Sequence, residues 1–118
     1  MPAKSRIGAG DLRHRAHFDV RGADRYGTPG VGDFGAVFSC RAALRPAGGS
    51  EAVIAARLEG RQVLHVYVRS SEQTRRITTD WRMRVTSHDV ETVYSIDAVD
   101  AVTDRHWVYL QVESGVAA

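Results

Sequence analysis

Five histidines, one cysteine and a surplus of arginine are the residues of this chain best equipped to do chemistry. His14, His17, His65, His88 and His106 include no His-x-His pair and no helical pair flanking a glutamate, the spacings that bring two imidazoles to one metal. His14 and His17 lie three apart on a strand and point to opposite sides of it. His14 and His106 fall on apolar stripes, where a half-buried histidine with a hydrogen-bond partner is the expected reading. Cys40 also lies on an apolar stripe and reads as a small core residue rather than a nucleophile. As the only cysteine, it excludes an intrachain disulfide and a cysteine-based zinc site within one chain. The serines, acids and histidines come without a Gly-x-Ser-x-Gly elbow, so no hydrolase triad is read from them. Gly30-Val31-Gly32-Asp33-Phe34-Gly35 spells the dinucleotide-binding pattern. That pattern works only between a strand and a helix N-terminus, where phosphate meets free N–H groups. Here a strand follows, so the segment reads as a loop. Asp33-Phe34-Gly35 also lacks the glycine-rich nucleotide loop and catalytic loop of a kinase, and is coincidental. No catalytic residue, metal or cofactor is expected.

The arginines remain. Lys4 is the only lysine, and the net charge is +2. No Lys/Arg run reaches five residues, so no dedicated nucleic-acid segment stands out. Arg13, Arg15, Arg41 and Arg45 fall on the outward faces of the first two strands, and Arg82 and Arg84 on that of a fourth. On adjacent strands they would make one basic surface. Its plain reading is a solvated face with cross-strand ion pairs. Its functional reading is contact with an acidic neighbouring subunit or with DNA phosphates lining a channel.

These residues need elements to position them. Residues 12–20 alternate, with Leu12, His14, Ala16, Phe18 and Val20 on one face and Arg13, Arg15, His17 and Asp19 on the other, which is a half-buried strand. Residues 21–35 hold five glycines and Pro29 and form a long mobile loop, a kind of segment that in small domains usually carries function. A second strand spans about 36–45, with Phe38, Cys40, Ala42 and Leu44 inward, and Pro46, Gly48 and Gly49 end it. Ser50 as N-cap, Glu51 in the first turn and Gly60 at the end frame one short helix over 51–58. Strand three is 62–69, with both faces partly covered. A short extended piece is expected at 76–78, and strand four is about 82–86, with Met83 and Val85 inward. Thr92, Tyr94, Ile96 and Ala98 alternate in a fifth strand. His106, Val108, Leu110 and Val112 alternate with Trp107 and Tyr109 in a sixth. Trp81, Tyr67, Trp107 and Tyr109 stand where aromatic rings cap a barrel or anchor an interface.

The fold expected is mainly β: a small antiparallel barrel or sandwich of about six strands, with one short helix and long loops. A chain of 118 residues is one domain. The division expected is a flexible arm over 1–10, the barrel over 11–113 and a short tail over 114–118. No run approaches the roughly 18 apolar residues of a membrane helix, no secretory signal is read at the N-terminus, and synthesis in a reducing cytoplasm is expected.

The order of motifs resembles the head–tail joining, or head-closure, proteins of long-tailed bacteriophages. Gly10-Asp11-Leu12-Arg13-His14-Arg15 resembles the opening of that family. Asp24-Arg25-Tyr26-Gly27-Thr28-Pro29 resembles its acidic–aromatic–Gly–Pro loop. Phe38, Ala42-Ala43-Leu44-Arg45-Pro46, Gly49-Ser50-Glu51, Leu64-His65-Val66-Tyr67-Val68-Arg69, Trp81-Arg82-Met83-Arg84-Val85 and Tyr94-Ser95-Ile96-Asp97-Ala98-Val99 follow in family order, over about 8–113. Phe34 stands where the family commonly has tryptophan.

The resemblance implies a stopper subunit without an active site, in a closed homo-oligomeric ring of roughly six or twelve copies. Its partners would be portal or adaptor proteins above, tail-terminator or tail-tube proteins below, and packaged DNA in the channel, with no membrane. It would reside in the neck of a phage, prophage or gene-transfer-agent particle. Asp24, Arg25, Tyr26, Gly27, Thr28, Pro29, Asp33 and Phe34 would form the partner or channel loop. Two other readings are kept: a tail-terminator subunit, and a small basic barrel that stacks single-stranded nucleic acid on Tyr67, Trp107 and Tyr109. A small enzyme finds no constellation of residues to support it.

Overall fold

The computed structural model describes residues 7–22 and 25–115. Six strands are found among them: β1 (His14–Arg21), β2 (Phe34–Pro46), β3 (Gln62–Arg69), β4 (Arg82–Ser87), β5 (Val90–Asp100) and β6 (Trp107–Ser114). All pair antiparallel and close into a barrel in the order β1-β2-β3-β6-β5-β4. Closure gives every strand a neighbour on both sides, although β2 meets β3 only over Ala42–Pro46.

The alternation read from the sequence positions the core. Ala16 and Phe18 of β1, Ala42 of β2, Val66 and Val68 of β3, Met83 of β4 and Val108, Leu110 and Val112 of β6 are all fully buried inside. Cys40 and Leu44 pack at the border of this core. Two bulges interrupt the alternation. On β2, Phe38 pairs with Phe18 and Ala36 with Asp19, leaving Val37 as the extra residue. On β5, Ile96 pairs with Val112 and Ala98 with Gln111, leaving Asp97 extra. After the second bulge Val99, not Ala98, faces inward against Leu110. Such bulges add twist, which a six-strand barrel needs in order to close.

β3 and β4 stand across the barrel from each other, so residues 70–81 must cross its mouth. The extended piece expected at 76–78 is instead a 3-10 turn, Thr74–Arg76, followed by Ile77. Ile77 drops into the core, and Trp81 meets Phe38 edge-on with ring centroids 6.1 Å apart. Thr74 is buried and its hydroxyl donates to the Arg69 carbonyl at 2.7 Å. A crossing segment has no strand partner, so its polar groups are satisfied locally and Ile77, with Trp81 beside it, plugs the mouth.

α1 (Glu51–Leu58) forms where the capping signals lie: the Ser50 hydroxyl accepts from the Val53 N–H at 3.3 Å, and Gly60 takes φ +80°. Val53 and Ala56 press on Val63 and Ala47 outside the barrel. The expected flexible arm is shortened at its described end, because Ala9–Asp11 form a 3-10 turn and Ile7 and Leu12 pack onto Tyr67 and Tyr109. Residues 1–6 lie outside the described residues. His88 and Asp89 both adopt positive φ in the two-residue β4–β5 turn, as a type I′ hairpin requires. His106, placed by its stripe on the core face, is exposed, because β6 begins only at Trp107.

Candidate interaction surface

The β1–β2 loop is anchored by a cluster on the outer face of the barrel. β1 places Asp19 beside Arg82 of β4. Arg84, one outward position along, turns back onto the same carboxylate. Its Nε donates to Oδ2 at 2.7 Å and its Nη2 to Oδ1 at 3.0 Å, while Arg82 Nε donates to Oδ2 at 2.8 Å. Arg84 Nη1 also donates to Glu91 of β5 at 3.2 Å. Two guanidiniums cover Asp19, leaving it 2% exposed on a face where the alternation predicts solvent. Burial raises the Asp19 pKa, but the hydrogen bonds and charges of Arg84 and Arg82 outweigh it and hold the carboxyl below its ordinary range. A bidentate arginine on a carboxylate is the strongest of such pairs.

The cluster continues into the loop base. Phe34 pairs with Arg21 across the strands, and the guanidiniums of Arg21 and Arg82 lie 4.3 and 4.2 Å from its ring centroid. Arg21 Nη1 donates to the Gly32 carbonyl, Gly22 N–H to the Asp33 carbonyl, and Gly32 N–H to the Gly22 carbonyl. Phe34, assigned to the loop from sequence, is therefore the first residue of β2 and the loop's anchor. The Asp33 side chain is exposed and its backbone closes the loop base.

Beyond this base the loop stands in solvent. Tyr26 is 76% exposed and Val31 55%. Arg25 Nη2 donates to the Tyr26 hydroxyl at 2.7 Å and its guanidinium lies over the ring. Gly27 and Gly30 adopt φ of +83° and +76°, bracketing Thr28-Pro29 with turns that other residues would strain. Asp24 lies outside the described residues. A cleft of about 480 Å³ separates the loop from the crossing segment, lined by Val20, Arg21, Gly30 and residues 78–81.

The basic surface divides in two. Arg82 and Arg84 are consumed by Asp19 and Glu91. Arg15 and Arg41 sit directly opposite each other on the outer face of β1 and β2, and both are exposed. Arg15 reaches the Ser39 hydroxyl at 3.3 Å, and neither arginine has an ion pair among the described residues. Arg13 bonds the Gly10 carbonyl, and Arg45 is half-buried opposite His65. The cross-strand carboxylate Asp19 is the anchoring residue that the sequence reading did not single out. Its signal was there: Arg82-Met83-Arg84 puts two cations on one outer face, and Asp19 is the only acid in the strand beside it.

Cys40 packs against the core. Burial pushes its thiol up to about 11, against the opposing charge of Arg15. Tyr67 and Tyr109 are 2% and 9% exposed, lying under Ile7 and Leu12, so their rings offer no platform for bases to stack.

This closed barrel, with its capped mouth and anchored outward loop, is comparable with known proteins. The solution structure of protein SF1141 from Shigella flexneri 2a superposes with a TM-score of 0.64 at 17% identity, covering 95% of this chain and 100% of that one, a likeness of fold. Among curated proteins, none matches this chain. A family model described as phage head completion protein matches residues 7–115, which takes in every strand of the barrel, the helix and the loop. The order of motifs along the strands and the closed barrel agree with that match, and the chain belongs to the phage head completion protein family.

Proposed function

We propose that this head-completion protein is a stopper: one subunit of a ring between the portal or adaptor and the tail, which retains packaged DNA and offers the tail its docking surface. The observation that supports it most is the β1–β2 loop. It extends from a clamped base and exposes Tyr26 and Val31, side chains that a free monomer gains nothing by exposing. A rigid barrel carrying one long, turn-rich loop suits a part that docks by ordering a loop, or that extends it into the channel as a plug. The tail-terminator reading has no observation of its own. The nucleic-acid reading loses the faces of Tyr67 and Tyr109 to Ile7 and Leu12, which leaves half-buried Trp107 alone.

Electron microscopy of particles from a strain lacking the gene tests the proposal. DNA-free or leaking heads beside separate, complete tails are expected. Tails of uncontrolled length would move the assignment to a tail terminator, and normal particles would reject a ring role altogether.

A further inference from the structure

The barrel order sets β1–β2 and β5–β6 on diametrically opposite sides. The charges on those sides are opposite in sign. On β1 and β2 the acid is Asp19, and it is buried beneath Arg82 and Arg84. What that face presents outward is Arg15 and Arg41, like charges directly across the strands, an arrangement that costs stability until an anion meets it. β5 carries Glu91, Asp97 and Asp100 and no Lys or Arg. Its bulge leaves Asp97 without a cross-strand partner and exposed, with its side chain hydrogen-bonded to Glu113 of β6. The cation beside that pair is Arg61 in the α1–β3 turn, which bonds Glu113 at 2.9 Å and is shared with Glu59 at 2.6 Å. The first face therefore holds like charges that the subunit itself leaves unpaired, and on the second a single arginine serves Glu59, Glu113 and the neighbouring Asp97. Each also carries an exposed aliphatic, Val37 on β2 and Val93 on β5.

We propose that the partner of both faces is a second copy of this chain: the Arg15–Arg41 face of one subunit docks against the Asp97-bearing β5 face of the next. The contact is heterologous, using different surfaces on the two copies. Contacts of this kind build rings when the rotation between neighbours closes. Burial and the neighbouring Glu113 push the Asp97 carboxyl up to about 6, and Arg61, which is shared with Glu59 and Glu113, only partly offsets this, so the pair has room for a second cation. The neighbour's guanidiniums would supply it. This inference rests on the ring reading above and names its lateral interface.

A charge swap in assembled particles tests it. Arg41→Glu and Asp97→Arg each place like charges at the contact, so each alone is expected to lower the yield of DNA-filled particles by about tenfold or more. The double variant restores opposite charges between neighbours and is expected to recover most of the wild-type yield. Within one subunit these residues lie on opposite sides of the barrel and do not touch, so a folding defect in either single variant would not be repaired by adding the other. Unaffected single variants, or a double variant no better than the singles, would overturn the proposed interface. Immunogold labelling of wild-type particles separates the two readings. Label at the neck with no rescue removes the interface alone, whereas absence of label from the neck removes the ring reading.

Discussion

At the scale of single residues, Asp19 is the side chain on which most depends. It is a buried carboxylate with three charge-assisted hydrogen bonds, and both of its arginines are mostly covered as well. Asp19→Asn keeps the shape and removes the charge, so Arg82 loses its counter-ion and Arg84 keeps only Glu91. A cost of roughly 1.5–3 kcal/mol is expected from hydrogen bonds to charged groups, measured as a lower urea midpoint. The pH dependence has a definite sign. Folding lowers the Asp19 pKa below its ordinary value of 3.8, so the unfolded chain takes up the proton first on acidification. The stability this aspartate supplies is complete well above 3.8 and is lost as the pH falls below that value. The gap between wild type and Asp19→Asn should therefore close in acid, and a constant gap would contradict the account. Cys40 makes a simpler test. Its thiol is raised from 9.0 to about 11, so its reaction with iodoacetamide at pH 8 should be about 100-fold slower in the folded protein than in urea.

At the scale of elements, the two bulges separate what the sequence made legible from what it concealed. Strand positions and most inward faces, though not those of Leu12, Ala98 and His106, followed from period-two alternation, and the helix from Ser50, Glu51 and Gly60, because these are local signals with local causes. The bulges at Val37 and Asp97 are set by the need of a closing sheet to twist, and no residue in a five-residue window marks them. The same holds for 76–78, where Ile77 looks like strand until the barrel order shows that this segment has a mouth to cross. It holds again for Asp19, whose partners lie 63 and 65 residues away in sequence. Asp97 offers a test of the element it sits in. Burial and the Glu113 carboxylate raise its pKa from 3.8 to about 6, so the folded state holds a proton that the unfolded chain gives up. That contribution is present at low pH and is lost as the pH rises through about 6. Asp97→Asn lacks the titration, so its thermal midpoint should gain on wild type between pH 4.5 and 7.5. Parallel midpoints across that range would show that the bulge does not hold the two acids together.

At the scale of the whole molecule, the parts that hold the fold and the loop proposed to dock are different. The barrel core and the crossing segment carry the fold, since Phe18, Met83, Val108, Leu110 and Ile77 share one buried cluster. The loop beyond Gly22 and Gly32 contributes exposed side chains, and its base is closed by bonds that do not involve the tip. Truncating Ile77 to alanine opens a cavity at the barrel mouth and should cost about 2–5 kcal/mol. Replacing 25–31 with a short glycine turn removes no core residue, and loop-closure entropy changes little with length, so the urea midpoint should stay within error of wild type. If the loop is the docking element, particles carrying that deletion should contain the protein and still fail to retain DNA or accept tails. The two variants thus predict opposite outcomes: Ile77→Ala lowers stability, and any loss of particles follows from the lower amount of folded protein. The loop deletion leaves stability intact and abolishes head completion. A loop deletion that yields infective, DNA-filled particles would return the docking role to the barrel faces, and a loop deletion that unfolds the protein would show that the clamp of Asp19, Arg82 and Phe34 depends on the tip it was thought only to hold.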